Sequence, residues 1–244
     1  MQEYLVFKLC GPLASWGDIA IGETRPSHSY PTKTAISGLL AAALGIERVE
    51  ETKQLELAKS FGFAVRVDKK GTLLCDYHTT QVPSATALKK VPHATRSDEL
   101  RAGDLSTILS TREYYCDVCY TVILWSEAAA LPYSLAALKE ALQRPKFTLF
   151  LGRKSCVLGL PTNPQIYYSE TIKAALRQAD LILNKTAGDL GSDDCAAMYW
   201  DSAGKSGMEP LQTIRRKDKL LSRKRWQFAD RFEQYALFEK QGDM

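Results

Sequence analysis

Apolar runs of strand length alternate with segments of helical spacing over the first 160 residues. The runs YLVFKL (4–9) and YYCDVCYTVILW (114–125) are rich in β-branched and aromatic residues, which predicts strands. FGFAVRVDKKGTLLCDYHT (61–79) predicts two more strands around a Lys-Lys-Gly turn. KFTLFLGRKSCVLG (146–159) predicts a strand that is interrupted by a basic turn at a glycine.

Three segments predict helices between these strands. Residues 32–46 follow Pro31 and end near a glycine, residues 52–60 are amphipathic, and residues 132–143 begin at a proline. The resulting order of elements fits an α+β fold of the βαββαβ, or ferredoxin-like, plan. RNA-recognition modules of this plan bind single strands on a sheet face without helices. We therefore expect one open sheet face.

Residues 80–112 interrupt this order and show no core periodicity. They are polar and carry two prolines together with the basic residues 89, 90, 96, 101 and 112. A long polar segment inside a compact domain is usually either functional or disordered. We interpret it as an insertion before the third main strand.

The last third of the chain is less regular. Residues 171–183 predict a helix, or a helix that runs into a strand, residues 187–194 a loop, and residues 195–221 a hairpin. Between Ile214 and Arg231, eight basic residues stand against two acidic ones, a net charge of +6 in a chain of net charge +4. The remainder therefore sums to −2, so the positive charge is concentrated in this stretch.

Composition and charge limit the class of protein. The chain has 244 residues, of which 45% are hydrophobic and 25% charged, as in soluble globular proteins that bury a core without disulfides. Its longest apolar stretch has 12 residues, and a membrane-spanning helix needs about 20. The first apolar run is too short for a signal peptide. We expect a cytoplasmic protein with no membrane partner, whose mild positive charge favours an anionic one.

Six cysteines lie at positions 10, 75, 116, 119, 156 and 195. Their even number does not indicate disulfides, because nothing in the sequence points to secretion. Cys116 and Cys119 form a CxxC motif, which is compatible with a zinc half-site or a redox pair. Residues three apart on a strand point to opposite faces, however, and no second motif follows at finger spacing. We interpret both as small buried or half-buried side chains.

The sequence lacks the common motifs of cofactor binding and catalysis. It contains no GxGxxG, GxxxxGK[ST], HExxH or GxSxG pattern. Of its histidines, His28, His78 and His93, the last two are candidates for the general base of a metal-independent RNA cleavage. Neither histidine has a partner residue at a spacing that would mark it as the catalytic base. We expect no cofactor, no metal and no catalytic residue, and keep RNA cleavage as the alternative.

Basic residues interleaved with aromatic ones are the remaining signal, and they are typical of proteins that hold single-stranded RNA. Lys33 at the start of a helix suits a phosphate, and Gly152 allows the backbone of a basic turn to approach one. Trp16 fits a core position and a stacking platform equally well. The basic stretch 214–231 is either a binding surface or a solvated hairpin face.

Several motifs together resemble the CRISPR-associated Cas-five family. They follow one another as GPLASWG (11–17), TRP (24–26), YPTKTAISGLL (30–40), DYHT (76–79), REYYCDVCYTVILW (112–125) and RPKFTLFLGRKSC (144–156). RKRWQFADR (223–231) is similar to the closing segment of the branch found in type I-E Cascade complexes. The resemblance covers residues 4 to 232.

The resemblance implies three parts of the chain. A modified ferredoxin-like, RNA-recognition-like (RAMP) domain is expected at 1–77 and 113–160. A long thumb β-hairpin is expected at 78–112, and a small β-rich C-terminal domain with a basic hairpin at 161–244.

It also implies a non-catalytic subunit of the type I-E CRISPR Cascade surveillance complex, which serves antiviral defence. Such a subunit caps the 5′ handle of the crRNA. It contacts the Cas-seven backbone subunit and the large PAM-reading subunit, and it meets target DNA only through the complex.

The family's motifs imply which residues bind the handle. By matched motif these are Trp16, Arg25, Thr32, Lys33, Tyr77, His78, Arg153, Lys154 and Ser155. Arg96, Arg101 and Arg112 are added for their charge and their place in the predicted thumb. A type I-C branch of the family cleaves precursor crRNA with a tyrosine and an adjacent Lys-His pair. This sequence has no Lys-His dipeptide, so we expect no nuclease.

Overall fold

The computed structural model describes residues 1–90, 94–101, 103–127, 132–187 and 195–239. His93 and residues 188–194 of the predicted loop lie outside these ranges. The described strands are β1 (Gln2–Ala14), β2 (Thr24–Arg25), β3 (Phe61–Lys69), β4 (Thr72–Pro83), β5 (Leu105–Ser126), β6 (Gln165–Ser169), β7 (Cys195–Asp201), β8 (Gln212–Ser222) and β9 (Gln227–Glu239). The helices are α1 (Lys33–Leu44), α2 (Glu51–Ser60), α3 (Ala85–Lys90), α4 (Arg96–Leu100), α5 (Leu135–Gln143) and α6 (Ile172–Ala187). Within the described ranges, no helix combines the length and apolarity that a bilayer crossing requires.

The strands form one mixed α/β architecture with a mostly antiparallel sheet. The order across the sheet is β6-β1-β5-β3-β7-β9-β8, and β2 and β4 pair with β5 outside this path. Only the short β2 runs parallel to its neighbour among the described pairs. Strands that follow residue 160 in the chain thus pair directly with β1 and β3. The division into domains at residue 160 stays a prediction.

Both faces of the central strands are covered by helices. In β1, Leu5, Phe7 and Leu9 belong to a core shared with α1, α2 and α5. Tyr4 and Val6 belong to a second core, which contains Ile172 and Leu176 of α6. A strand that is buried on both faces has a continuous apolar sequence, as YLVFKL does. The expectation of an open sheet face is therefore wrong, because α6 covers that face.

The predicted helix ends are correct for α1 and shifted for α5. The Thr32 side chain caps α1 by accepting a hydrogen bond from the Ala35 N–H (3.3 Å), and Gly45 ends the helix with a φ of 75°. The cap of α5 is Ser134, which accepts from Ala137 N–H, so this helix begins after the predicted Pro132.

Two predicted strand assignments are wrong. Residues 146–159 form only an isolated bridge between Phe150 and Val157, because their backbone bonds instead to the end of β1, as in Ser15 N–H to Leu151 C=O (2.9 Å). The strand beside β1 is β6. The predicted hairpin over 195–221 also fails, since β7 and β8 do not pair with each other and β9 lies between them.

The hairpin of β4 and β5 reaches beyond the sheet. β5 has 22 residues, about 70 Å of extended chain. Its second half lies between β1 and β3. Its first half pairs with β4 over Thr72–Pro83, and α3 and α4 lie between the two strands in sequence. The described residues of the polar segment 80–112 therefore belong to the outer part of a hairpin.

Cys10 and Cys119 are directly opposite each other on β1 and β5, and a disulfide joins them. The even number of cysteines does not reveal this bond, because the pairing depends on strand register. Cys116 remains a half-buried thiol, so the two cysteines of the CxxC motif have different environments.

A buried ion-pair network joins β7, β8 and β9 to the start of α1. Arg231 lies at its centre and contacts Asp201 (2.6 Å), Asp218 (2.8 Å) and Glu233 (2.8 Å). Burial opposes the charge of this guanidinium, but the hydrogen bonds and charges of the three carboxylates outweigh it and raise the pKa of Arg231. The network is thus held in its charged form.

We expect Arg231→Met to lower the free energy of unfolding by about 3–5 kcal/mol, because it leaves buried carboxylates without their cation. Urea unfolding measures this. The matched control is Arg215→Met, since Arg215 is exposed and lies 3.6 Å from Asp230, and its loss should cost about 0–1 kcal/mol. Equal losses in the two variants would show that the network does not stabilise the fold.

Candidate nucleic-acid interface

Three predicted site residues meet where the β4–β5 hairpin leaves the sheet. Arg25 on β2 pairs in register with Arg112 on β5. Arg153 donates from Nη2 to the carbonyl of Arg25 (3.2 Å), and its guanidinium lies 4.7 Å from the ring centre of Tyr114. We call Arg25, Arg112, Tyr114 and Arg153 the hairpin-base surface.

Gly152 sets the position of Arg153. Its φ is 95°, which favours glycine, and a Cβ at this position would lie 1.8 Å from the Ser15 carbonyl oxygen. The turn is therefore packed directly against the chain that follows β1. Lys154 and Ser155 are exposed at the same turn. Nη1 of Arg153 is buried and has no hydrogen-bond partner among the described residues.

Tyr77 and His78 lie on β4 next to this surface. Tyr77 is 66% exposed and faces Thr111 across the hairpin. His78 lies opposite Ser110, and its Nδ1 is 3.4 Å from the carboxylate of Asp76. The preceding pair is Asp76 with Arg112. His78 therefore extends the hairpin-base surface outward, whereas Tyr77, the adjacent residue of the strand, points to the other face of the hairpin.

Arg96 and Arg101 lie away from it, in the segment between β4 and β5. Arg96 pairs with Glu99 (2.5 Å) and also donates to the carbonyl of Gln81. Arg101 is exposed at the end of α4. The structure therefore separates these two residues from Arg112, with which the sequence analysis grouped them.

Trp16 and Thr32 are buried. Trp16 is 6% exposed and packs edge-on against Tyr120, with ring centres 5.7 Å apart. Thr32 is the cap of α1 described above. Of the two interpretations that the sequence left open for Trp16, the structure places the indole in the core.

Lys33 belongs to the buried ion-pair network. Its Nζ lies 2.9 Å from Asp201, and its backbone N–H donates to the carboxylate of Asp218 (3.2 Å). The anion that the N-terminus of α1 attracts is thus a side chain of the protein itself. In this arrangement the charge of Lys33 is neutralised within the protein by Asp201.

A cleft of about 680 Å³ connects the hairpin-base surface to the turn between β8 and β9. Its lining includes Trp16, Arg153, Lys217, Arg223, Trp226 and Phe228. Two acidic residues belong to its lining, and one of them, Asp218, is neutralised by Arg231 (2.8 Å). The one charged partner of Asp18 within the described ranges is His28 (3.3 Å), and burial lowers the pKa of that imidazole, so Asp18 keeps its negative charge at neutral pH. Arg153, Lys217 and Arg223 form no ion pair among the described residues, so the cleft carries uncompensated positive charge.

Arg223 and Trp226 were not among the predicted site residues. The stretch RKRWQF does contain a signal, a tryptophan flanked by basic residues. Its net charge alone does not distinguish buried ion pairs, such as that of Arg216 with Glu233 (2.7 Å), from exposed cations. In the structure, the strand register decides which basic residues of this stretch form buried ion pairs and which are exposed.

Unpaired cations, aromatic rings and a glycine turn together define a surface suited to a polyanion such as single-stranded nucleic acid. A family model described as CRISPR-associated protein (Cas_Cas5) matches residues 4–232. The chain belongs to this family, which confirms the resemblance seen in the sequence.

One relative agrees with this assignment, and two solved structures share the fold. The chain is 36% identical over 161 residues to the CRISPR system Cascade subunit CasD of Escherichia coli (strain K12), covering 66% of this chain and 70% of that protein. A structure titled CRISPR RNA-guided surveillance complex matches with a TM-score of 0.61 and 21% identity, over 97% of this chain and 90% of the other. A second, titled Crystal structure of Cas protein, has a TM-score of 0.60 and 24% identity, over 97% and 95%. The two structures show a shared fold.

We expect Gly152→Ala to lower the free energy of unfolding by about 2–4 kcal/mol, since a left-handed φ is unfavourable for alanine and the Ser15 backbone must also move. Gly17→Ala is the control. Gly17 has a φ of 65° but no atom within 4 Å of its would-be Cβ, so only the conformational cost of about 1–2 kcal/mol remains. Urea unfolding compares them, and equal losses would contradict the tight contact.

Proposed function

We propose that this chain is a non-catalytic RNA-binding subunit of a type I-E Cascade complex and that it caps the 5′ handle of the crRNA. The observation that carries the proposal is the convergence of Arg25, Arg112 and Arg153 beside Tyr114. The name of the Escherichia coli relative, a Cascade subunit, supports the assignment to such a complex.

We further propose that the scaffold is the ferredoxin-like, RAMP-type plan. The order β6-β1-β5-β3 supports it. When these four strands are renumbered 1 to 4 along the chain, their order across the sheet is 4-1-3-2, and neighbouring strands are antiparallel. Helix α1 lies between the first and second of these strands, and α5 between the third and fourth. In this proposal the outer hairpin, residues 78–112, is the thumb, and residues 161–244 form the smaller C-terminal part.

In the proposed mechanism, the guanidiniums of the hairpin-base surface bind consecutive phosphates of the handle. Guanidinium groups suit this role because their planar donors match phosphate oxygens. On the other face of the hairpin, the exposed ring of Tyr77 offers a stacking face for an unstacked base, whose edges are then open to sequence-selective hydrogen bonds. The thumb crosses the guide where the handle meets the spacer.

The proposed protein partners are the Cas-seven backbone subunit and the large PAM-reading subunit. In this proposal the chain meets target DNA only through the complex, and the complex is cytoplasmic. Support for protein contacts comes from the hairpin. Leu88, Leu100 and Ile108 are 51%, 44% and 50% exposed there. Exposed apolar side chains are typical of protein interfaces where they form one patch, and we propose that these three residues contribute to such a patch.

The alternative function is a metal-independent endoribonuclease that processes precursor crRNA. His78 beside Asp76 favours it, because a carboxylate in contact with an imidazole can orient it as a general base. Among the described residues, however, no Lys or Arg forms an ion pair or hydrogen bond with His78. A cation at that position is what would stabilise the charge of an RNA-cleaving transition state.

We predict that Arg25→Gln/Arg112→Gln weakens binding of handle-bearing RNA by about a hundredfold or more, since each of the two charge-assisted hydrogen bonds that are removed costs about 1.5–3 kcal/mol. The assay is a gel shift with the assembled complex, and a scrambled handle is the reference RNA. Arg177→Gln/Lys205→Gln removes the same charge on the α6 side and should leave the affinity unchanged.

Two results would count against the proposal. If the unmodified complex binds the scrambled and authentic handles equally, the chain does not recognise the handle. If both double variants bind the handle more weakly to the same extent, the hairpin-base surface is not the site.

We also predict that the full chain leaves a CRISPR-repeat RNA intact in the presence of EDTA, because no Lys or Arg forms an ion pair or hydrogen bond with His78 among the described residues. Denaturing gels of a time course measure this. Cleavage at a single position that His78→Ala abolishes would replace the proposed function with the alternative.

A further inference from the structure

Two guanidiniums and one indole meet at the turn between β8 and β9. The guanidinium carbons of Arg48 and Arg223 lie 4.3 Å and 4.5 Å from the ring centre of Trp226. Trp226 is 53% exposed and has a φ of 52°, a conformation that is uncommon for a tryptophan and orients the side chain at a tight turn. We call these three residues the Arg–Trp clamp.

The two cations of the clamp, Arg48 and Arg223, form no ion pair in the part of the chain that the structure describes. Of the neighbouring carboxylates, Glu50 contacts Lys53 (2.5 Å), and Glu51 accepts a hydrogen bond from the Ser222 hydroxyl and forms no ion pair with either arginine. Burial and the positive charge of Arg48 both lower the pKa of Arg223. The two like charges therefore repel each other, and an anion would relieve this repulsion.

The clamp adjoins the cleft that leads from the hairpin-base surface. Arg223, Trp226, Lys217 and Arg153 all line it. Arg153 also belongs to the hairpin-base surface, so the cleft connects the cations of that surface with those of the clamp. A chain of negative charges fits several connected cations better than a single small anion does.

We propose that the Arg–Trp clamp binds the phosphodiester backbone of a nucleic acid without regard to sequence. The proposal rests on the proposed function, since the strand that reaches the clamp is the RNA held at the hairpin-base surface. The guanidiniums lie over the indole, so the clamp offers planar donors to phosphate oxygens rather than a bare ring to a base. Continuity with the cleft favours a nucleic acid over an acidic protein segment.

The test is the salt dependence of RNA binding by the full chain. For single strands, the slope of log K against log salt has a magnitude of about 0.7 for each phosphate that the protein neutralises. Arg48→Gln/Arg223→Gln should therefore reduce the magnitude of the slope by about 1.4, both for handle RNA and for a scrambled RNA of the same length. Lys224→Gln/Arg225→Gln, which removes two exposed cations from the same turn, should leave it unchanged.

A second variant separates charge from folding. Arg48→Lys/Arg223→Lys keeps both charges and should retain most of the slope, even if the altered stacking lowers the thermal midpoint.

A duplex DNA of equal length shows whether the phosphodiester backbone that the clamp binds belongs to RNA or to DNA. A change in slope with DNA but not with RNA would show that the clamp binds DNA, and the inference that it binds the handle RNA would be overturned.

The outcomes also separate this inference from the proposed function. If the unmodified chain binds no RNA, the proposed function fails. If it binds RNA and Arg48→Gln/Arg223→Gln behaves like Lys224→Gln/Arg225→Gln, the clamp fails alone. If the clamp variant binds RNA normally but no longer enters the assembled complex, the clamp binds a protein, and the inference is overturned.

Discussion

The buried pairing of Arg231 with Asp201, Asp218 and Glu233 is the constraint on which the binding surface depends. It fixes the β8–β9 hairpin against the first turn of α1, where Asp218 also accepts the backbone N–H of Lys33. The cleft exists because these two elements are held together at this point. A buried charge that is fully paired tolerates little movement, since separating it leaves charges without solvent or partner.

This constraint divides one basic stretch into two kinds of residue. Arg216 and Arg231 turn inward and are neutralised by carboxylates, whereas Lys217 and Arg223 turn toward the cleft and have no ion pair among the described residues. Adjacent residues of a strand point to opposite faces, so neighbours in sequence take different roles. The positive charge of the stretch is therefore only partly available for binding.

Local patterns predicted most of the helices and strands, because capping residues, glycines and apolar runs act over a few positions. They failed where a distant segment decides the outcome. α6 covers the sheet face that the strand order alone leaves open, and β9 takes the place beside β7 that a hairpin would give to β8. Lys33 illustrates the same limit within the site: helix position and charge favoured a phosphate, but Asp218, 185 residues away in the chain, takes up that anion position.

Photochemical crosslinking of an assembled complex tests the central claim most directly, because it locates RNA on the chain without altering it. The complex would carry crRNA with 4-thiouridine placed either in the 5′ handle or in the spacer. Handle crosslinks should fall on peptides that contain Tyr77, Tyr114 and the Gly152–Ser155 turn. Crosslinks from the handle to other subunits alone, or to the α6 side of this chain, would contradict the account.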